Sequence, residues 1–299
     1  MLVTSFAMAI RGYYLGCPAW GIKEWAGTLY RRGSRAGDYL SQYAEVFNTV
    51  EGNTTFYSLP SAESVDRWRD ATPSSFRFCF KFPRTISHVK GLRYAAAETE
   101  EFLARMAPLG ERLGAFMLQL PPAFGPERLS LLARFLEGLP ARFRYAVELR
   151  HPDFYRPREE GGAAEAADEL LIARRCERVI MDTRALRSGD DQHPAVLGAR
   201  HRKPNLPVRE KALGEEPILR FIGHPHSLVN HPWIETWCDV LGGWLAAGKT
   251  PFVFIHRPDN AFAPPFAREF HAALSQSLSS REVGGMPVWP GEKGQLSLL

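Results

Sequence analysis

The sequence predicts an α/β protein, a single (β/α)8 TIM barrel of parallel strands. Eight short apolar segments rich in β-branched and aromatic residues recur along the chain. Amphipathic helical patterns lie between most of them. The 299 residues exceed an ordinary domain but are usual for a barrel of alternating strands and helices.

The strand segments are 13–17, 49–53, 76–82, 115–120, 144–150, 178–182, 217–223 and 251–256. Their length and β-propensity fit buried strands. Helices are expected over 38–47, 99–109, 127–139 and 163–176, with Ser61 starting another. Two more, 232–247 and 264–278, open on proline, which suits a first helical turn. Strand–helix alternation argues a parallel sheet with helices outside. One unit is irregular. Residues 183–216 follow strand six and carry the basic cluster Arg200-His201-Arg202-Lys203. Loops after barrel strands project over the functional face, so this insertion is expected as a lid on the pocket. Residues 1–278 then form the barrel domain, and 279–299, polar with several Gly and Pro, a flexible tail.

With 45% hydrophobic and 23% charged residues, the composition is that of an ordinary globular protein. A net charge of +4 does not mark a nucleic-acid binder and leaves room for a local basic patch. Cys17, Cys79, Cys176 and Cys238 form no CxxC pair, so neither a zinc knuckle nor a disulfide framework is expected, and reduced thiols in the cytoplasm are. There is no run of about 18 apolar residues, so no membrane span is expected. The first basic residue, Arg11, follows the apolar N-terminal stretch, a poor match to a signal peptide.

The strands break their own pattern near their C-terminal ends. Buried parallel strands read as nearly continuous apolar runs. Here strand two carries Glu51 and Asn53, strand three Lys81, strand four Gln119, and strand five Glu148 and Arg150. Strand six ends at Asp182, strand seven carries Arg220 and leads to His224, and strand eight ends at His256. Charges inside a barrel must be paired or face a polar cavity, and barrel active sites lie where the strands end. Structural pairs such as Lys81 with Glu51 or Arg150 with Glu148 are the plain alternative for individual residues. Both glutamates are expected to be buried and partnered, since an unpaired buried carboxylate protonates.

The cations point to an anionic ligand, phosphorylated or carboxylated, because arginine forks match those groups. Three chemistries compete. Glu51 or Glu148 acts as base with His256 or His88 as acid; or Lys81 forms a Schiff base; or Glu148, Asp182, His224 and His256 bind a divalent metal. No HxH or HExxH pair supports the metal, so the metal-free choice is preferred and the cofactor is left unknown. A lyase, isomerase or hydrolase acting on a small anionic molecule or a nucleic-acid end fits these groups. The alternative is a nucleic-acid-binding module using the 200–203 cluster, Lys90, Arg93, Trp20, Trp25 and Tyr57.

The stretches GCPAWGIKEWAGTLY, FNTVEGNTTFYSLPSAES, FRFCFKFPRTISH, LQLPPAFG, VELRHPDF and HRPDNAFAPP resemble, in order, the domain of unknown function 72 family, also called YecE-like. The resemblance runs from about residue 14 to 274 and implies a β/α barrel with a strand-end pocket, but no reaction. The family pattern falls on Trp20, Glu51, Asn53, Tyr57, Lys81, Arg84, His88, Gln119, Glu148, Arg150, His151, Asp182 and Arg220. One departure is visible: many relatives end strand eight with an Asn-Asn pair, where this chain has His256-Arg257 followed by Asp259 and Asn260. The chain closes on Gln295-Leu296-Ser297-Leu298-Leu299, which resembles the bacterial sliding-clamp-binding motif. That resemblance implies a partner held by Gln295, Leu296, Leu298 and Leu299.

Overall fold

A computed structural model describes residues 9–189, 192–278 and 280–293. Eight strands run through it: β1 (Tyr14–Gly16), β2 (Thr49–Gly52), β3 (Arg77–Phe80), β4 (Ala115–Gln119), β5 (Arg144–Glu148), β6 (Cys176–Asp182), β7 (Ile218–Ile222) and β8 (Phe252–His256). Every strand pairing is parallel. Six strands form a half-barrel sheet in the order β1-β8-β7-β6-β5-β4, and β2 and β3 form a second sheet. Backbone bonds cross the gaps between the sheets. Gly114 N donates to Phe78 O at 2.8 Å, Phe82 N to Met117 O at 3.0 Å, and Glu51 N to Cys17 O at 3.1 Å. The Asn48 side chain ties β1 further, accepting from Leu15 N at 2.8 Å and donating to Tyr13 O at 2.9 Å. Gly16 permits the close approach of β1 to β2, because a Cβ there would stand 2.1 Å from Thr49 O.

Helices α1 (Tyr39–Ala44), α2 (Ala62–Asp70), α3 (Ala96–Met106), α4 (Leu129–Glu137) and α5 (Ala164–Ala173) follow the first five strands. Ser61 caps α2 as expected, its Oγ accepting from Ser64 N at 3.2 Å. After β6 come α6 (Arg184–Arg187) and α7 (Pro194–Arg202), and after β7 and β8 come α8 (Ser227–Ala246) and α9 (Ala263–Ser277). Helix α8 starts before Pro232, not at it. The Asn230 side chain binds His224 N and the carbonyls of His224 and His226, which organises a turn ahead of the proline.

The apolar residues separate into two layers. A large core fills the space between strands and helices. A smaller one, including Cys79, Met117, Ala146, Val179, Ile218, Phe252 and Phe254, lies on the opposite face of the strands. Period-two alternation produces both faces. The second layer underlies the polar groups at the strand ends.

Residues 280–293 correct the expectation of a flexible tail. They form α10 (Ser280–Val283) and α11 (Pro290–Lys293), and Val283 and Trp289 are buried. Arg11 N donates to Val283 O at 3.0 Å and Gly291 N to Leu29 O at 3.1 Å. The Arg268 guanidinium lies 3.5 Å from the Trp289 ring centroid and pairs with Glu292 at 2.7 Å. Val283 and Trp289, with Met286 packed beside them, anchor the stretch on the core. Gln295, Leu296, Leu298 and Leu299 lie outside the described residues. Among the described residues no helix is long and apolar enough to cross a membrane.

If Trp289 anchors the C-terminal segment, Trp289→Ala removes a buried indole and should cost about 3–5 kcal/mol. Urea unfolding checks this. An unchanged midpoint would mean that the segment contributes nothing to the fold.

Candidate anion-binding pocket at the strand ends

The site is built on Arg220. From the middle of β7 its side chain enters a space bounded by β2 and β5, and only 1% of the residue is exposed. Its Nε and Nη2 donate to the two oxygens of Glu51 at 2.9 and 2.8 Å, and its Nη1 donates to Glu148 Oε2 at 2.5 Å. Glu51 also receives Lys81 Nζ at 3.1 Å and His256 Nε2 at 2.9 Å. Glu148 receives Arg150 Nε at 2.5 Å, and Lys81 donates to Gln119 Oε1 at 3.2 Å. The Lys81–Glu51 and Arg150–Glu148 pairs expected as the plain alternative are therefore both present, joined by Arg220 into one network.

Burial works to raise the Glu51 carboxyl, but Arg220, Lys81 and His256 outweigh it and hold the group well below the usual range. Burial likewise opposes Arg150, Arg220 and Lys81 at Glu148, which is drawn down to about 2. Both carboxylates are thus ionised acceptors. His256 Nε2 must then carry the hydrogen, since an ionised carboxylate only accepts. Burial lowers His256 to about 4 against the opposing pull of Glu51, so the imidazole is neutral at neutral pH. Lys81 is lowered by burial and by Arg220, and is held up by Glu51 and Glu148.

Above this network opens a cavity of about 440 Å³, within the size range of small-molecule sites. Of the predicted residues, Asn53, Tyr57, Lys81, Gln119, Arg150, Arg220, His256 and Asn260 line it. Glu51 and Glu148 lie beneath, in contact with the lining cations. The insertion contributes Ala199, Arg202 and Lys203. Arg200 instead staples the insertion to itself, donating to the carbonyls of Leu186, Ser188 and Gly189. Arg257, not anticipated from sequence, also lines the cavity; its position one residue beyond β8 was the available signal. Burial lowers Lys203 to about 7, helped by the Arg220 and Lys81 charges.

Five predicted residues lie elsewhere. Asp182 is one residue out of phase with the inward face: Met181, not Asp182, is in register with Arg220. Asp182 turns toward the helices, where Arg184 Nη2 pairs with it at 2.8 Å and Trp237 Nε1 donates at 2.7 Å. His224 sits in the turn organised by Asn230. His151 accepts from Asp153 N as a helix cap. Trp20 packs on Trp68 and Phe78, and Arg84 is exposed outside the cavity wall. His88 stands beside the pocket, bonded to Ser87 Oγ at 2.8 Å, and burial with Arg150 and Arg84 lowers its pKa. The four residues considered for a divalent metal do not converge, and no group of three or more metal-ligating side chains occurs among the described residues.

A larger groove of about 930 Å³ lies outside, between α3 and α4. Leu103, Leu131 and Phe135 line it together with Arg93, Glu100, Arg134 and Arg142. The buried network of Arg220, Glu51 and Glu148 borders the strand-end cavity instead.

Fold and site together define an α/β protein with a cation-lined pocket where its parallel strands end. The chain belongs to the family described as "Protein of unknown function DUF72", whose model matches residues 14–287. It is 40% identical over 277 residues to the UPF0759 protein YecE of Escherichia coli K12, covering 93% of this chain and 97% of that one. It is 23% identical over 151 residues to the UPF0759 protein YunF of Bacillus subtilis, covering 48% and 52%. A crystal structure of a DUF72 family protein from Thermotoga maritima has a similar fold, with a TM-score of 0.68 at 22% identity, covering 88% of this chain and 99% of that one. A DUF72 family protein from Enterococcus faecalis gives a TM-score of 0.66 at 20% identity, covering 89% and 95%.

The depressed pKa values set the acid response. His256 falls from 6.5 to about 4, so the unfolded chain takes the proton first. Its contribution is intact above pH 6.5 and is lost as pH falls toward 4, on the order of 3 kcal/mol. Glu148 adds a second loss between pH 4.5 and about 2. Thermal melting should therefore drop between pH 7 and 4, and His256→Asn should flatten that part. An identical pH profile for both proteins would contradict the assignment of a buried neutral imidazole.

Proposed function

We propose that the two sheets form one closed (β/α)8 barrel, and that the strand-end cavity is the active site of an enzyme acting on a small anionic substrate bearing phosphate or carboxylate. One observation carries the reading: the cavity is lined by Lys81, Arg150, Arg202, Lys203, Arg220 and Arg257 and, among the described residues, by no carboxylate. Two buried acids, Glu51 and Glu148, lie beneath it, and every oxygen of both already accepts from a cation. The surplus positive charge faces the cavity, and an anion would balance it. Glu51 and Glu148 then serve as an electrostatic base for the pocket, since their low pKa values make them weak proton acceptors. The neutral His256 is the better general base and the Lys81 ammonium an acid, an arrangement suited to isomerase, lyase or hydrolase chemistry. The insertion acts as a lid that brings Arg202 and Lys203 to the ligand.

A nucleic-acid module is the weaker alternative. Trp25 is buried and Trp20 is packed in the rim, so neither offers a stacking face. Lys90 is paired with Glu98 at 2.6 Å. Tyr57, 80% exposed at the cavity mouth, is the ring available to a nucleotide end.

Calorimetric titration with inorganic phosphate and pyrophosphate tests the proposal. Binding is expected, weakening steeply with salt. Arg202→Ala, on an exposed side chain, should weaken it roughly tenfold, the scale of one charge-assisted hydrogen bond. Absence of binding by the unaltered chain would overturn the anionic-substrate reading.

A further inference from the structure

We infer that Lys203 is the amine nucleophile of the pocket, forming a Schiff base with the aldehyde or ketone carbonyl of an anion seated on Lys81, Arg150 and Arg220. The inference rests on the anionic-pocket reading and names the substrate class as a carbonyl compound.

The two lysines of the cavity differ in their surroundings. Burial and Arg220 lower the Lys81 pKa, but its nitrogen is engaged by Glu51 at 3.1 Å and by Gln119 at 3.2 Å, so it is tied into the network below the cavity. Lys203 has no carboxylate ion-paired to it among the described residues. The charged groups facing it are Arg220 on β7, Lys81 on β3, and the network carboxylates Glu51 on β2 and Glu148 on β5. The neutral His256 of β8 lies close enough for Lys203 to influence it. Both carboxylates are saturated by nearer cations, so the Lys203 proton is opposed more than it is held.

Its backbone is fixed. Lys203 ends α7 with extended dihedrals, as the residue before a proline must. Its N donates to Ala199 O at 2.9 Å, its carbonyl accepts from Arg187 Nη2 at 2.6 Å, and Pro204 O accepts from Thr183 Oγ1 at 3.1 Å. From this fixed backbone Lys203 lines the same cavity as Lys81, Arg150 and Arg220. With a pKa of about 7, its neutral fraction at pH 7 is roughly a thousandfold that of an ordinary lysine. Desolvation next to another cation is a known means of activating a lysine.

The step balances without a redox partner. The Nζ lone pair attacks the carbonyl carbon, and the C=O π electrons move to oxygen, which takes a proton from the Lys81 ammonium or from solvent. One nitrogen proton passes to that hydroxyl, which leaves as water, and the nitrogen's remaining extra proton returns to the Lys81 amine or to solvent, leaving C=N.

Pyridoxal 5′-phosphate, an aldehyde carrying a phosphate, is a suitable probe when followed by borohydride reduction and mass mapping of the full chain. One stoichiometric label at Lys203 is expected, suppressed by excess inorganic phosphate, with a labelling rate that rises through about pH 7 and is absent in Lys203→Arg. Labelling at Lys81, or spread over surface lysines without phosphate protection, would overturn the inference. If calorimetry shows phosphate binding but Lys203 stays unlabelled, the nucleophile assignment fails and the anionic pocket stands. If phosphate neither binds nor protects, both fail.

Discussion

The structure depends on a buried arginine. Arg220 fills the strand-end space and presents three N–H groups to Glu51 and Glu148, which lie 169 and 72 residues away in sequence. Taking these charges out of water is expensive, and a buried pair repays the cost only when its remaining donors and acceptors are met. Here they are met, because Lys81, His256 and Arg150 complete the two carboxylates. Removal of any one partner would leave an uncompensated buried charge. The network therefore constrains the relative positions of β2, β3, β5, β7 and β8, while the apolar layer below it keeps water out.

The same pairing determines what the cavity can recognise. Two anions are shared among Arg220, Lys81 and Arg150, and further cations come from the insertion and the end of β8. The carboxylates are hidden, so a ligand meets cations and a neutral imidazole. Arginine forks and ammonium groups together give bidentate and point-charge contacts to an oxyanion. The exposed ring of Tyr57 and the stapled insertion frame the entrance. On the proposed reading, selection by charge would come from the fold's interior and not from the net charge of the chain.

Much of this was legible in the sequence. Eight β-rich runs separated by helical patterns gave the parallel α/β organisation, and polar residues interrupting those runs pointed to the strand ends, where most of them line or underlie one cavity. The partners of those residues were less legible, because sequence separations of 72 and 169 carry no local signal. Alternation would have excluded Asp182. Arg178, Ile180 and Asp182 share one face of β6, and the first pairs with Asp168 of α5, so that face meets the helices. Arg257 stood out only as a departure beside His256 and was not assigned to the site, because it lies past the strand. The 280–293 segment was misread because its Gly and Pro content outweighed the two apolar anchors, Val283 and Trp289.

Everything at the strand ends follows if Glu51 and Glu148 are held ionised across neutral and mildly acidic pH by the cations around them. Side-chain carboxyl ¹³C shifts of the glutamates, assigned by Glu51→Gln and Glu148→Gln and followed from pH 8 downward, test it directly. Both carboxyls should remain in the ionised position until the pH is well below the ordinary glutamate value of about 4.3. A titration of either at or above that value would mean that one acid is protonated in the folded state, and the cation-rich cavity would lose its electrostatic foundation.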